Sequence, residues 1–393
     1  MIVKGLAATA AVAVGAVGLA VPSQAADPGV SKTQIVIGST SPQTGPASAG
    51  YLYIPQAAQA YFDYVNKNGG INGRKIKFVA KDDMYNPATT QAQTSALLLS
   101  DKIFAMYGAF GTDQHSTVID TLNTRNVPDV FINTGASQFG NVKKYPTTIP
   151  YLPSYAVEAK AMAYYITNTP ALSSLKRCFM YQDGDFGIDA SNGFKAAGMD
   201  FTTTTSFAAA NIAAGFASQV VKMKTAGCQL VTFFGITQAT AALLATSAKV
   251  GFAPTWMVTS VGSEPTIIKG ILGAAAPKLM NNMYTPSFLT PITDIGNPYV
   301  AQMKTLVEAS GLPWNFYTYY GVNTAYVMAQ AIKAAGPDLT RKGLLNALQT
   351  KASSFRSAAS VPLVVTATSH QGLTGYWMGQ YDSAGTLGRL TDY

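Results

Sequence analysis

The chain has little of the chemistry on which catalytic and metal sites depend. Its 393 residues include two histidines, His115 and His370, and neither has a cysteine or histidine partner at metal-ligand spacing. The Gly-x-Ser-x-Gly sequence of a nucleophile elbow is absent. Asp183, Asp185 and Asp189 are spaced like part of a calcium loop, but the glycine at its sixth position and its final glutamate are missing. We therefore expect no metal, no cofactor and no enzymatic activity, and an exported hydrolase is the weakest alternative.

Charged residues are also scarce, at 12% of the chain against 48% hydrophobic residues. The formal net charge is +8, but the lysines and arginines are scattered, and their longest cluster is Lys143-Lys144. Scattered positive charge does not favour a nucleic-acid partner. After residue 25, no apolar stretch approaches the ~20 residues of a membrane-spanning helix. The composition indicates large buried cores beneath a surface of uncharged polar residues.

The first 25 residues have the three parts of a secretory signal peptide. Lys4 provides the positive charge, Gly5–Val21 the apolar run, and Pro22–Ala25 the small residues before a cleavage site. A membrane anchor is the alternative, but the run is short and weakly apolar for that role. No cysteine stands at the site for lipid attachment. We expect cleavage after Ala25 and export to the periplasm, which leaves about 370 residues for two ordinary domains.

Buried strands alternate with helices along the mature chain, which predicts an α/β fold with parallel sheets covered on both faces. The first series begins with strand Gln34–Ser39 and helix Tyr53–Asn68, and a second begins with a helix near Tyr155. Further strands are predicted at Lys75–Ala80, Phe104–Gly108, Asp129–Asn133, Arg177–Tyr181, Asp200–Phe207, Leu230–Phe234 and Thr255–Val258. After residue 300, helices that cover existing sheets precede strands Pro362–Thr366 and Gly375–Tyr381. The repetition is at the level of whole α/β lobes.

Two loops that follow strands are the strongest candidates for binding, because ligands of parallel sheets lie beyond the carboxyl ends of the strands. Gly108–Asp113 and Asn133–Ser137 occupy such positions. Exposed N–H groups at helix starts favour an anion such as a carboxylate, and ordinary helix capping is the alternative for each loop. His115 lies in the first turn of a helix predicted over Thr112–Arg125, and we expect its side chain to be solvated.

The two cysteines precede the first and third strands of the second lobe. In the 2-1-3-4-5 strand order of flavodoxin-like sheets, those strands are neighbours. Cys178 and Cys228 would then lie at the same edge, away from the binding loops. A disulfide forms if their Cα atoms come within ~7 Å, and two buried free thiols are the alternative.

Three stretches resemble the substrate-binding proteins of branched-chain (hydrophobic) amino acid ABC transporters, including the leucine/isoleucine/valine-binding proteins. They are Ile35–Gly38 with Pro46, the sequence NKNGGINGRKIKFVAKDDMYNP over Asn66–Pro87, and MYGAFGT over Met106–Thr112. The resemblance continues to Gly372–Asp382. It implies the type I periplasmic binding protein fold, with two doubly wound lobes joined by three crossovers and closing about a hinge. The expected lobes are residues 33–153 with 286–366, and residues 154–285 with 367–393.

The resemblance also implies a set of ligand-binding residues. The hydroxyl that binds a ligand carboxylate falls on Thr112, and the groups that hold both ends of an amino acid fall on the run Gly135, Ala136 and Ser137. The aromatic residue that covers the ligand from the second lobe falls on Phe186, and a further second-lobe position falls near Thr237.

One departure from the family bears on the ligand. Amino-acid binders pair the ligand's ammonium with an acidic residue after the strand equivalent to Thr255–Val258. Here direct alignment gives Ser260, and Glu264 reaches the position only through a longer loop. A buried ammonium without a carboxylate would cost several kcal/mol. Either Glu264 turns inward, or the ligand is a partly apolar or aromatic carboxylate- or amide-like molecule, which we favour.

The resemblance further implies a role in transport. The protein would act as a monomer that captures a small molecule and presents its closed form to an ABC transporter permease in the membrane. A branched-chain amino acid binder that uses Glu264 is one alternative, and a periplasmic sensor of the same fold is another.

Overall fold

Two separate sheets result from the alternation of strands and helices. The computed structural model describes Met1 and residues 27–392, so the predicted signal peptide beyond Met1 and its cleavage site lie outside the described residues. Within the described part, no helix combines the length and apolarity that a bilayer crossing requires. The same residues contain no cluster of three or more histidine, cysteine, aspartate or glutamate side chains arranged to hold a metal.

The first sheet is parallel throughout and has the order β2-β1-β3-β4-β5. Its strands are β1 (Gln34–Ser41), β2 (Lys75–Asp82), β3 (Ala105–Tyr107), β4 (Asp129–Ile132) and β5 (Thr148–Pro150). β1 is buried along all but its first residue, because helices cover both faces of the sheet. It pairs with β2 in register from Gln34–Lys75 to Ser41–Asp82.

Helices from two parts of the chain cover the first sheet. Those of the first part are α1 (Ser48–Tyr51), α2 (Tyr53–Lys67), α3 (Pro87–Leu99), α4 (Thr112–Ser116) and α5 (Ile119–Thr124). The predicted helix Thr112–Arg125 is wrong in one respect, since it breaks after Ser116. There the hydroxyl of Thr117 donates to the carbonyl of Gln114 at 2.7 Å, which competes with helical hydrogen bonding.

The second sheet has the order β12-β11-β10-β9-β8-β6-β7. Its strands are β6 (Arg177–Gln182), β7 (Thr203–Phe207), β8 (Leu230–Phe234), β9 (Thr255–Val258), β10 (Tyr284–Ser287), β11 (Trp377–Tyr381) and β12 (Leu387–Asp392). β6 to β10 are parallel, and β11 and β12 add an antiparallel edge. The strand predicted over Pro362–Thr366 is wrong, because that segment joins neither sheet.

Seven helices surround the second sheet, and three later helices return to the first. The former are α6 (Tyr155–Asn168), α7 (Pro170–Ser173), α8 (Asp185–Ala196), α9 (Ala217–Thr225), α10 (Thr237–Lys249), α11 (Pro265–Leu272) and α12 (Ala276–Met280). The latter are α13 (Pro298–Ala309), α14 (Phe316–Ala335) and α15 (Arg341–Lys351), and α14 packs along α2.

The chain therefore crosses between the sheets three times, after β5, after β10 and before β11. The first five strands of each sheet have the 2-1-3-4-5 order of a doubly wound lobe, so the predicted fold class is confirmed. The exact lobe boundaries stay a prediction. The boundary proposed between residues 285 and 286 falls within β10.

Cys178 and Cys228 form a disulfide with their Cα atoms 5.8 Å apart. Cys178 lies near the start of β6, and Cys228 precedes the adjacent strand β8. The bond therefore lies at the end of the second sheet that is opposite the carboxyl ends of its strands.

Candidate functional site

Loops at the carboxyl ends of the two sheets meet and hydrogen-bond across the cleft between the lobes. The Tyr51 hydroxyl donates to the carbonyl of Val261 at 2.6 Å. The N–H of Asp185 donates to a carboxylate oxygen of Asp113 at 3.1 Å, and the Gln182 amide donates to the Tyr85 hydroxyl at 2.9 Å. The two lobes are therefore closed on each other.

Aromatic side chains from both lobes enclose a cavity in the closed cleft, which we call the interlobe cavity. Tyr51, Tyr85 and Phe110 line it from the first lobe, and Tyr155 and Phe186 line it from the second. The ring centroids of Tyr51 and Phe110 are 4.3 Å apart, and those of Tyr155 and Phe186 are 4.6 Å apart. In this closed form its volume is about 20 Å³, room for about one water molecule, so a bound ligand would hold the rings farther apart than they lie here.

Besides the tyrosines, Thr112 and Asn133 bring polar side chains to the interlobe cavity, and none of the described residues that line it is charged. The walls are completed by Gly111, Thr112, Asn133, Ile236 and Val261. The Thr112 hydroxyl is 2.6 Å from that of Thr134. Asn133 is buried, and its side-chain N–H₂ group has no partner among the described residues. Because a buried donor without a partner is unfavourable, this group is suited to a ligand oxygen.

The tyrosines do not add charge to the interlobe cavity. Burial raises the pKa of Tyr155 to about 12, and burial followed by the neighbouring Tyr317 raises the pKa of Tyr51. Both phenols are therefore neutral near pH 7, so the cavity offers hydrogen bonds and aromatic surface rather than a charge partner.

The predicted trio Gly135, Ala136 and Ser137 lies beside the interlobe cavity rather than on its wall. One carboxylate oxygen of Asp189 accepts from the Ser137 hydroxyl at 2.8 Å, from the Ser137 N–H at 3.1 Å and from the Ala156 N–H at 3.2 Å. A second-lobe carboxylate thus occupies donors that the family resemblance assigned to a ligand. Burial raises the pKa of Asp189, and the bonds from Ser137 oppose that rise.

Gly135 positions Tyr155. Its carbonyl accepts from the Tyr155 N–H at 2.7 Å, and a Cβ at this position would lie 2.8 Å from the Tyr155 ring and from the carbonyl of Pro153. A side chain at residue 135 would therefore displace the ring that lines the cavity.

Thr237 and Ser260 contact other protein groups instead of the cavity. The Thr237 hydroxyl bonds to the Tyr317 hydroxyl and to the carbonyl of Val261 at 3.3 Å. The Ser260 N–H and hydroxyl donate to the two carboxylate oxygens of Glu158 at 2.6 and 3.2 Å. Tyr376 donates to the same carboxylate at 3.1 Å.

Glu158 was not anticipated from the sequence. It is fully buried on α6, and its burial raises its pKa to about 7 against the hydrogen bonds of Thr259, Ser260 and Tyr376. The sequence contained one clue to its role, because Glu158 is the sole acidic residue in α6, a helix whose buried face is otherwise apolar.

Glu264 caps its own helix. One carboxylate oxygen accepts from the Ile267 N–H at 2.7 Å at the start of α11. Its side chain is 3% exposed and lines a different cavity, so the closed structure brings neither Ser260 nor Glu264 to the interlobe cavity.

The prediction that His115 is solvated is wrong. The side chain is fully buried, and its Nε2 is 2.7 Å from a carboxylate oxygen of Asp129, itself buried on β4. The pair ties α4, which begins at Thr112, to the first sheet.

The fold and the closed cavity define a two-lobed ligand-binding protein. The family model described as "Periplasmic binding protein" matches residues 34–386. The chain belongs to this family and has the type I fold, which confirms the resemblance seen in the sequence.

One curated relative and two solved structures similar to this chain carry names that mention different ligands. An "Amino acid binding protein" from Pseudomonas aeruginosa is 44% identical over 77 residues, a match that spans 19% of this chain and 20% of that protein. A "possible leucine/isoleucine/valine-binding protein" from Rhodopirellula baltica has a TM-score of 0.80 at 20% identity and covers 92% of this chain and 97% of its own. A "Fatty acid ABC transporter substrate-binding protein" from Thermomonospora curvata has a TM-score of 0.83 at 18% identity and covers 94% of each chain. At these identities, the structural likenesses show the fold alone.

Proposed function

We propose that this protein is an exported, non-catalytic binding protein that captures a small, partly apolar molecule in the interlobe cavity and delivers it to an ABC transporter permease. The observation that carries the proposal is the cavity itself, with aromatic walls from both lobes, no charged wall residue and one unpartnered amide donor. The name of the similar structure from Thermomonospora, an ABC transporter substrate-binding protein, supports transport as the role. Periplasmic location, cleavage after Ala25 and action as a monomer complete the proposal.

The walls favour a ligand with an apolar body and one hydrogen-bond-accepting end. The body would lie between Phe186 with Tyr155 on one side and Tyr51 with Phe110 on the other. A carboxylate or amide oxygen would accept from the Asn133 side chain.

An α-amino acid fits these walls less well. Its ammonium would be enclosed without a carboxylate partner, because Ser260 is bonded to Glu158 and Glu264 lines another cavity. Enclosing an unpaired charge costs several kcal/mol. An amino acid brings two charges, a simple acid one and an amide none, so the amino acid is disfavoured most.

The Ser137–Asp189 contact would serve closure. The contact joins the first lobe to α8 of the second, so it forms when the lobes close. It therefore stabilises the closed form to which the ligand binds. Ser137 would then influence affinity without touching the ligand.

A branched-chain amino acid binder is the second candidate, and the name of the Pseudomonas relative favours it. It would require Glu264 to leave its helix-capping position and to enter the interlobe cavity.

Matched ligand series would separate the two. Thermal unfolding is followed with L-leucine, 4-methylpentanoate and 4-methylpentanamide, and with L-phenylalanine, 3-phenylpropanoate and 3-phenylpropanamide. A ligand at 100 times its Kd stabilises the folded state by about 2.7 kcal/mol, a shift of a few degrees. We expect the acids or amides to raise Tm more than their amino acids. Larger shifts with leucine and phenylalanine would support the amino acid binder instead.

A further inference from the structure

A second cavity lies beside the segment that leads from β10 to the first lobe, and we call it the hinge cavity. Its volume is about 160 Å³, and most of its wall is apolar. Leu289 and Ile292 on the crossing segment, Phe316 at the start of α14 and Trp377 on β11 form that apolar surface. It shares no lining residue with the interlobe cavity.

Glu264 is the one acidic or basic side chain among the described residues that line the hinge cavity. It is 3% exposed, and one of its oxygens is held by the Ile267 N–H. Its other oxygen, Oε1, is buried and has no partner at hydrogen-bonding geometry among the described residues, although the N–H groups of Thr266 and Phe316 and the Thr266 hydroxyl lie near enough to the carboxyl to lower its pKa. A buried carboxyl oxygen without a partner is a binding group for a donor that the protein does not supply.

Neighbouring hydroxyls cannot easily turn to satisfy Oε1. The Ser263 hydroxyl donates to the carbonyl of Ser260 at 3.2 Å and accepts from Thr285 at 2.9 Å. The Ser260 hydroxyl is bonded to Glu158, and the Trp377 indole N–H donates to the carbonyl of Leu289 at 2.7 Å. Oε1 therefore keeps the capacity to accept a hydrogen bond from a bound molecule.

We propose that the hinge cavity is a second small-molecule site, which binds a primary ammonium ion carried on an aromatic or branched apolar body. The ammonium donates to Oε1 of Glu264, and the apolar body packs on Phe316, Trp377 and Leu289. Burial raises the pKa of Glu264, and a cation at hydrogen-bond distance opposes that effect by stabilising the carboxylate.

The test is calorimetric titration of the full chain with 2-phenylethylamine at neutral pH, with 2-phenylethanol as the neutral probe of the same shape. We expect 2-phenylethylamine to bind at least tenfold more tightly than 2-phenylethanol. Glu264→Gln keeps an acceptor for the Ile267 N–H but removes the charge, and it should weaken 2-phenylethylamine binding at least tenfold. Thr290→Phe, at a half-buried position on the cavity wall, should also weaken it by filling the space.

Phe186→Ala provides the control, because Phe186 lines the interlobe cavity and does not line the hinge cavity. It should leave 2-phenylethylamine affinity unchanged. Wild-type affinity in both Glu264→Gln and Thr290→Phe would overturn the proposal, as would no binding of the amine at millimolar concentration. Binding lost in Phe186→Ala and kept in Glu264→Gln would overturn it too, by placing the amine between the lobes. None of these results would contradict the proposed capture of an acid or amide in the interlobe cavity. The matched ligand series tests that proposal separately.

Discussion

Replacing Phe186 with alanine should weaken ligand binding without unfolding the protein. The side chain is 4% exposed in the closed form, with its ring centroid 4.6 Å from that of Tyr155 and 6.1 Å from that of Phe234. Burying a phenylalanine side chain contributes about 1.5–3 kcal/mol. If the ligand and the closed cleft bury this ring, its loss reduces affinity between about tenfold and about 150-fold.

The assay is calorimetric titration with the tightest ligand of the matched series, alongside thermal unfolding to verify the fold. Ile188→Ala is the matched control, since Ile188 lies on the same helix, is 48% exposed and does not line the interlobe cavity. The control should bind as the wild type does. Wild-type affinity in a folded Phe186→Ala protein would refute the placement of the ligand against this ring.

Three further predictions test the surrounding structure. Ser137→Ala and Asp189→Asn should each weaken ligand binding about tenfold, and the double variant no further, because each breaks the same contact; additive losses in a double-mutant cycle would contradict this. Reducing the disulfide between Cys178 and Cys228, which are separated by 50 residues, should lower the free energy of unfolding by ~4 kcal/mol in urea titrations. Ligand affinity should not change, because the bond lies at the far end of the sheet. Glu158 has a pKa of about 7 in the folded protein against an ordinary 4.5, so the folded state holds its proton more tightly. This tighter proton binding adds about 3 kcal/mol to the free energy of unfolding below pH 4.5. The contribution is lost as pH rises through 7. Glu158→Gln should remove that slope from the pH dependence of unfolding, and an unchanged slope would refute the assignment.

Sequence patterns predicted the fold well where a strand is a continuous apolar run. Leu230–Phe234 and Thr255–Val258 have the predicted bounds, because strands buried on both faces leave a clear signal. The segment Pro362–Thr366 has a similar composition, but no neighbouring strand accepts it into a sheet. Sheet membership depends on the partner as well as on the strand itself.

The site was harder to predict, since closure brings together groups that are distant in the sequence. Thr112 and Phe186 line the interlobe cavity, and their contact with a ligand, which the family resemblance implies, stays a prediction. The contact between Ser137 and Asp189 joins residues 52 apart, and that between Ser260 and Glu158 joins residues 102 apart. A loop motif reports which donors are exposed along the chain but not which carboxylate of the other lobe will meet them.

The most direct test of the account is to locate the bound ligand by intermolecular nuclear Overhauser effects. Perdeuterated protein with protonated phenylalanine, tyrosine and tryptophan would be studied with 4-methylpentanamide, or with the tightest ligand of the matched series. We expect contacts from the protons of the ligand's apolar body to the rings of Phe186 and Tyr155. Contacts to the ring of Trp377 alone would place this ligand in the hinge cavity and contradict capture between the lobes.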